Sequence, residues 1–97
     1  MPPFICFLNW TDEGAKNAEG ISERHDAAYS LAAILGGDVV GAYVTTGQYD
    51  VVAIIDMPDG DAMAKFALSV GTRGQARTTT VRAFPHDEIS KIASSPT

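Results

Sequence analysis

Five consecutive apolar residues, Val51 to Ile55 (VVAII), set the hardest constraint on how this chain can fold. Successive side chains of a strand point to opposite faces, so Val51, Ala53 and Ile55 share one face and Val52 and Ile54 the other. A second run, Phe4 to Leu8, behaves alike, with Phe4, Cys6 and Leu8 against Ile5 and Phe7. A sheet wetted on one side alternates apolar with polar residues, and these strands do not. Helices cover one face; the pattern predicts a second subunit on the other.

The rest of the chain supplies the elements around these strands. PFICFLNW, Pro3 to Trp10, reads as the first strand. TDEGAKNAEG is a polar connection in which Thr11 caps a short turn. From Ser22 a helix places Ala27, Ala28, Leu31 and Leu35 on one stripe, and Gly36-Gly37 stops it. DVVGAYVTT is the second strand. A two-residue connection, Gly47-Gln48, predicts a type II′ hairpin turn into the third strand, YDVVAIIDM, with glycine supplying the positive φ. After Pro58, Asp59 caps a helix whose stripe is Ala62, Met63, Phe66, Ala67 and Val70, ended by Gly71. GTRGQ is a loop, ARTTTVRAF a fourth strand, and PHDEISKIA a short terminal helix; residues 94–97 read as a frayed tail.

The order β-α-β-β-α-β predicts a single α+β domain over residues 1–97. Its expected architecture is ferredoxin-like: a four-stranded antiparallel sheet, helices on one face, first and third strands central. Two such sheets packed about 10 Å apart make the dimeric α+β barrel type of assembly, so a homodimer or higher homo-oligomer is expected. A small-molecule pocket then falls between sheet and helices or at the subunit junction.

A formal charge of −5 and a pI near 4.7 argue against nucleic acid, whose phosphates call for a basic stripe. Arg24, Arg73, Arg77 and Arg82 are outnumbered by acidic groups. Cys6 is the single cysteine, so an internal disulfide and a multi-cysteine metal site are excluded, and its apolar setting reads as a small buried hydrophobe. The N-terminal segment lacks basic residues, and its apolar run is too short for a signal peptide or membrane span. The reading is cytoplasmic, without membrane contact and without a cofactor.

Phe4-Ile5 through LNWTDEG, then ERHDAA, LGGDVV, TTGQYDVVAIIDMPD and RTTTVRAF together resemble the GYD-domain family, named for a Gly-x-Tyr-Asp signature. The signature stands here at Gly47, Tyr49 and Asp50. The chain departs from the family at Thr79, where an acidic residue is frequent, so a site relying on that carboxylate is not expected. GQYDVVAIIDMPD and GQARTTTVRAF also resemble the ligand-sensing domain of leucine-responsive/asparagine-type transcription regulators. That resemblance implies an oligomeric effector-binding module, without a DNA reader of its own.

Nine residues are candidates for a ligand site or interface. Gly47 is explained by its turn, and Tyr49 reads as a half-buried anchor with its hydroxyl at the rim. Asp50 heads an apolar strand; its carboxylate can accept hairpin amides, pair with an arginine across an interface, or hold a ligand's amino group. Trp10 and Thr11 end a central strand, where loops collect pockets. Arg24 lies in the first turn of a helix, where a cation opposes the dipole and gains nothing locally; solvent, or a partner elsewhere (a carboxylate or a ligand), accounts for the placement. Thr78 and Thr80 share a strand face, and Tyr43 stands on the second strand. His25-Asp26, His86-Asp87-Glu88 and the aspartates at 56, 59 and 61 lack the convergence or order of a metal site. The expected function is an oligomeric module binding a small metabolite at or near a subunit interface. The alternative is a small cofactor-independent oxidoreductase or isomerase using Tyr43, Tyr49, Asp50 or His25.

Overall fold

A computed structural model of the chain describes residues 1–16 and 18–94. Its elements are β1 (Pro3–Trp10), α1 (Asp12–Lys16), a 3-10 turn (Ala18–Gly20), α2 (Ile21–Ile34), β2 (Asp38–Val44) and β3 (Val51–Asp56). Then follow α3 (Gly60–Thr72), β4 (Ala76–Arg82), a second 3-10 turn (His86–Glu88) and α4 (Ile89–Ser94). The strands form one antiparallel sheet in the order β2-β3-β1-β4, so the two doubly apolar strands are central. This is the ferredoxin-like strand order, with α2 and α3 on the same face.

Register explains which residues make the core. Cys6 lies opposite Ala53 on one side and Thr80 on the other, and Phe4 opposite Ile55, so these side chains share the helix-covered face. The core joins Phe4, Cys6 and Ile55 of the sheet to Ala32 of α2 and Met63 and Phe66 of α3. Each large apolar side chain buried there contributes about 1.5–3 kcal/mol. Ala28, Leu31 and Leu35 pack around it as their spacing predicts. Ala32, 0% exposed, belongs to the same contact although the stripe omitted it. Asp59 caps α3 as expected, its Oδ1 accepting the Ala62 amide at 2.8 Å.

The β2–β3 connection differs from the expected two-residue turn. β2 ends at Val44 and β3 begins at Val51, which are register partners. The Thr45 amide donates to the Asp50 carbonyl at 2.9 Å, and the Thr45 hydroxyl donates to the Tyr49 carbonyl at 2.6 Å. The Thr45–Asp50 backbone bond closes the hairpin outside residues 46–49, leaving four residues for the turn, and the Thr45 hydroxyl braces its last residue. Gly47 keeps the expected positive φ, +111°. β2 also carries an irregularity between Val39 and Gly41, which turns Val40 outward. At the other end, Ser94 belongs to α4 rather than to a frayed tail, and 95–97 lie outside the described residues.

The far face of the sheet presents Ile5 and Phe7 of β1 and Val52 and Ile54 of β3, all half-buried, with Val81 of β4 and Tyr43 of β2 exposed. Among the described residues no helix is long and apolar enough to cross a membrane.

Candidate functional site

Between the helix-covered face of the sheet and helices α2 and α3 lies a cavity of about 190 Å³. Its floor is the strand residues Cys6, Leu8, Val51, Ala53 and Thr78; Ala28, Leu31, Phe66 and Val70 of the helices close over it. Polar groups gather at one end, where β1 finishes, β4 begins, α2 starts and α3 stops. There stand Trp10, Arg24, His25, Tyr29, Arg73 and Gln75. The body of the cavity is therefore apolar and its polar groups are concentrated at that end.

Trp10 is fixed from two sides. Its backbone amide donates to Asp50 Oδ2 at 2.9 Å, and the Arg24 guanidinium lies 4.7 Å from the centre of its ring. Such a cation over an indole is worth about 0.5–2 kcal/mol. Arg24 Nε and Nη2 also donate to the carbonyls of Gly20 and Gly14, at 3.3 and 3.2 Å. The placement that made no local sense at a helix start is explained by these partners. Thr11 ties the neighbouring loops together: its hydroxyl donates to the Gly74 carbonyl at 2.7 Å and accepts the Gly14 amide at 3.2 Å, while its amide donates to the Gln75 carbonyl at 3.0 Å. Gly14 is buried against that same Gln75 carbonyl, and a Cβ there would collide with it.

The nine candidates thus separate. Trp10, Arg24 and Thr78 line the cavity; Tyr43 reaches only its edge at β2, because its register partner is the far-face Val52, its ring lies over Gly41 and the residue is 60% exposed. The Thr80 hydroxyl is buried on the same sheet face, beside its register partner Cys6. Burial pushes the Cys6 thiol above its ordinary range, and the Thr80 hydroxyl offsets part of this. Thr11 supports the wall from outside. Gly47 stands in the turn with no non-neighbouring heavy atom near its Cβ position. The Tyr49 ring packs against Phe7 on the far face, at 4.7 Å between centres. Asp50 is engaged by Trp10. The Gly-x-Tyr-Asp residues therefore do not converge on the cavity.

Tyr29, Arg73 and Gln75 border the cavity as well, and no sequence motif marks them. Tyr29 packs its ring against His25 at 4.7 Å, one turn along α2. That i, i+4 spacing is visible in the sequence; what brings Arg73 and Gln75 beside it is not, since they arrive from the α3–β4 connection. Among the described residues, no three His, Cys, Asp or Glu side chains are grouped to hold a metal ion.

An antiparallel sheet in this order, with two helices on one face and an apolar cavity between, defines a small α+β protein. The chain belongs to the GYD-domain family, whose model matches residues 4–93. It is 35% identical, over 88% of its own length and 90% of the relative's, to a Thermus thermophilus protein described as a glutamine synthetase and cystathionine beta-lyase binding protein. Its fold is similar to that of a chain from Thermus thermophilus solved by crystallography. The TM-score is 0.57 with 22% identity, over 88% of this chain and 95% of that one.

Proposed function

We propose that this protein is a noncatalytic, cytoplasmic binding module, a homo-oligomer that holds a small, mainly apolar metabolite between its sheet and helices. The observation that supports it is the chamber of about 190 Å³. An apolar cavity of about 150 Å³ is large enough to bind benzene. This one accepts a body of that size with a little to spare. The family signature is absorbed by the turn, by Phe7 and by Trp10, which leaves binding rather than an acid–base pair as the reading best supported. In the alternative enzyme reading, His25 still borders the chamber, while Tyr43 lies over Gly41 on the far side of β2 and Tyr49 and Asp50 are engaged elsewhere. Thermal-shift measurements across a metabolite panel test the proposal. A raised melting temperature for selected compounds, abolished in Ala28→Phe while that variant still melts cooperatively, is the expected result; null shifts throughout overturn it.

A second reading concerns protein partners, and the relative's description favours it. On this reading the chain binds glutamine synthetase or cystathionine beta-lyase of its own cell. Size-exclusion chromatography of each purified enzyme with and without this protein checks it, and no co-elution at micromolar concentration rules it out.

A further inference from the structure

We propose that the chamber's ligand is a small organic acid, with a compact hydrocarbon body inside and its carboxylate at the polar end, held by Arg73. This rests on the reading of the chamber as a binding site and specifies what it selects.

The charges bordering the chamber are one-sided. Among the described residues lining it, Arg24 and Arg73 carry charge and no aspartate or glutamate does, in a chain with 12 acidic and 7 basic side chains; Glu13 stands behind the adjoining loop, its Oε2 3.5 Å from the Cβ position of Gly74. An ammonium group entering the chamber meets no carboxylate among the described residues that line it, which disfavours an amine or the amino end of a zwitterion. A carboxylate meets two cations with different tasks. Arg24 is committed to the Gly14 and Gly20 carbonyls and to the Trp10 ring, and it builds the wall. Arg73 follows the last turn of α3, is exposed, and its guanidinium has no hydrogen-bond or ion-pair partner among the described residues. Its planar fork of donors matches the two oxygens of a carboxylate. Gln75 and Thr78 border the same space and add neutral polar groups. Acidic groups farther off than the screening length of about 8 Å at physiological salt act weakly, and the cations that line the chamber favour an anion inside it.

The apolar walls set the other half of the ligand. A phosphate carried on a sugar would leave its hydroxyls against Leu8, Phe66 and Val70 without partners, at a desolvation cost. An aromatic or branched aliphatic acid suits both the walls and the cation.

Three compounds with one body and three charges test this: benzoate, benzyl alcohol and benzylamine, titrated calorimetrically at low ionic strength. Benzoate is expected to bind about tenfold more tightly than benzyl alcohol, with benzylamine weakest. Arg73→Gln should remove the benzoate advantage and leave benzyl alcohol unchanged. Equal affinities for benzoate and benzyl alcohol overturn the acid assignment while leaving the binding module standing. A benzoate preference that survives Arg73→Gln overturns the role of Arg73. Failure of all three compounds to bind overturns the chamber as a site for ligands of this size, and the acid assignment with it.

Discussion

The Asp50 carboxylate accepts the backbone amide of Trp10 at 2.9 Å, while the Asp50 amide donates to the Leu8 carbonyl at 2.9 Å. Together these bonds carry the β1–β3 pairing past its last register pair, Leu8 and Val51, with a side-chain oxygen standing in for a backbone carbonyl. The Asp50 carbonyl is thereby released to Thr45, which closes the hairpin. A carboxylate heads a buried strand because it is part of the ladder.

Asp50→Ala should therefore destabilise the single chain. It leaves the partly buried Trp10 amide unpaired, a loss of about 1–3 kcal/mol. In a domain of this size each kcal/mol lowers the melting temperature by about 4–8 °C. Asp50→Asn keeps an acceptor and should retain most of the stability. Thermal melts of the two variants decide the matter, and an Asn variant as unstable as the Ala variant would show that charge, not the acceptor, matters.

Two glycines make a paired test. Gly14→Ala drives a Cβ into the Gln75 carbonyl, prising α1 from the start of β4; a loss above about 2 kcal/mol and weakened ligand binding should follow. Gly71 sits inside α3 with open space at its Cβ position. Gly71→Ala should raise stability by about 0.5–1 kcal/mol through helix propensity. Denaturant midpoints measure both.

Cys6 sets an alkaline limit. Burial holds its proton more tightly in the folded chain than in the unfolded one, whose thiol ionises near its ordinary value of about 8.5. Its stabilising contribution is thus complete below that pH and is lost as pH rises from it through the higher value of the folded state. Native protein should resist iodoacetamide at pH 8 while denatured protein reacts. Cys6→Ala should flatten the stability decline above pH 8.5.

Assembly is tested on the far face. Val52 and Ile54 point away from the helices, and a face-to-face dimer buries them. A Val52→Lys/Ile54→Lys double variant should sediment as a monomer with its secondary structure intact. The same sedimentation coefficient for parent and variant would remove this face as the contact.

The strands, the two long helices and the sheet order were legible because each rests on local periodicity or on a chirality rule. VVAII and FICFL announce central strands; Asp59 announces its helix start. The hairpin differs from its sequence pattern for a specific reason. The Gly47 signal locates a turn but not its length, which depends on Thr45 and Asp50 bonding across the loop and to β1. The candidate site was legible in part. Trp10 and Thr78 follow from strand alternation, and Arg24 from its unfavourable place on a helix. Arg73 and Gln75 gave no sign, because their role depends on where the α3–β4 connection lands.

The sequence by itself determined which faces are apolar and hence the layered architecture, since side-chain alternation is a local property of backbone geometry. Only the tertiary structure decided what Asp50, Trp10 and Arg24 do. Their partners lie 40 residues away for Asp50 and Trp10, and across two elements for Arg24, and such distances close only when the sheet forms. The chamber belongs to the same level: it is the space left where α2, α3 and the end of the sheet fail to fill one another, and no single segment encodes it.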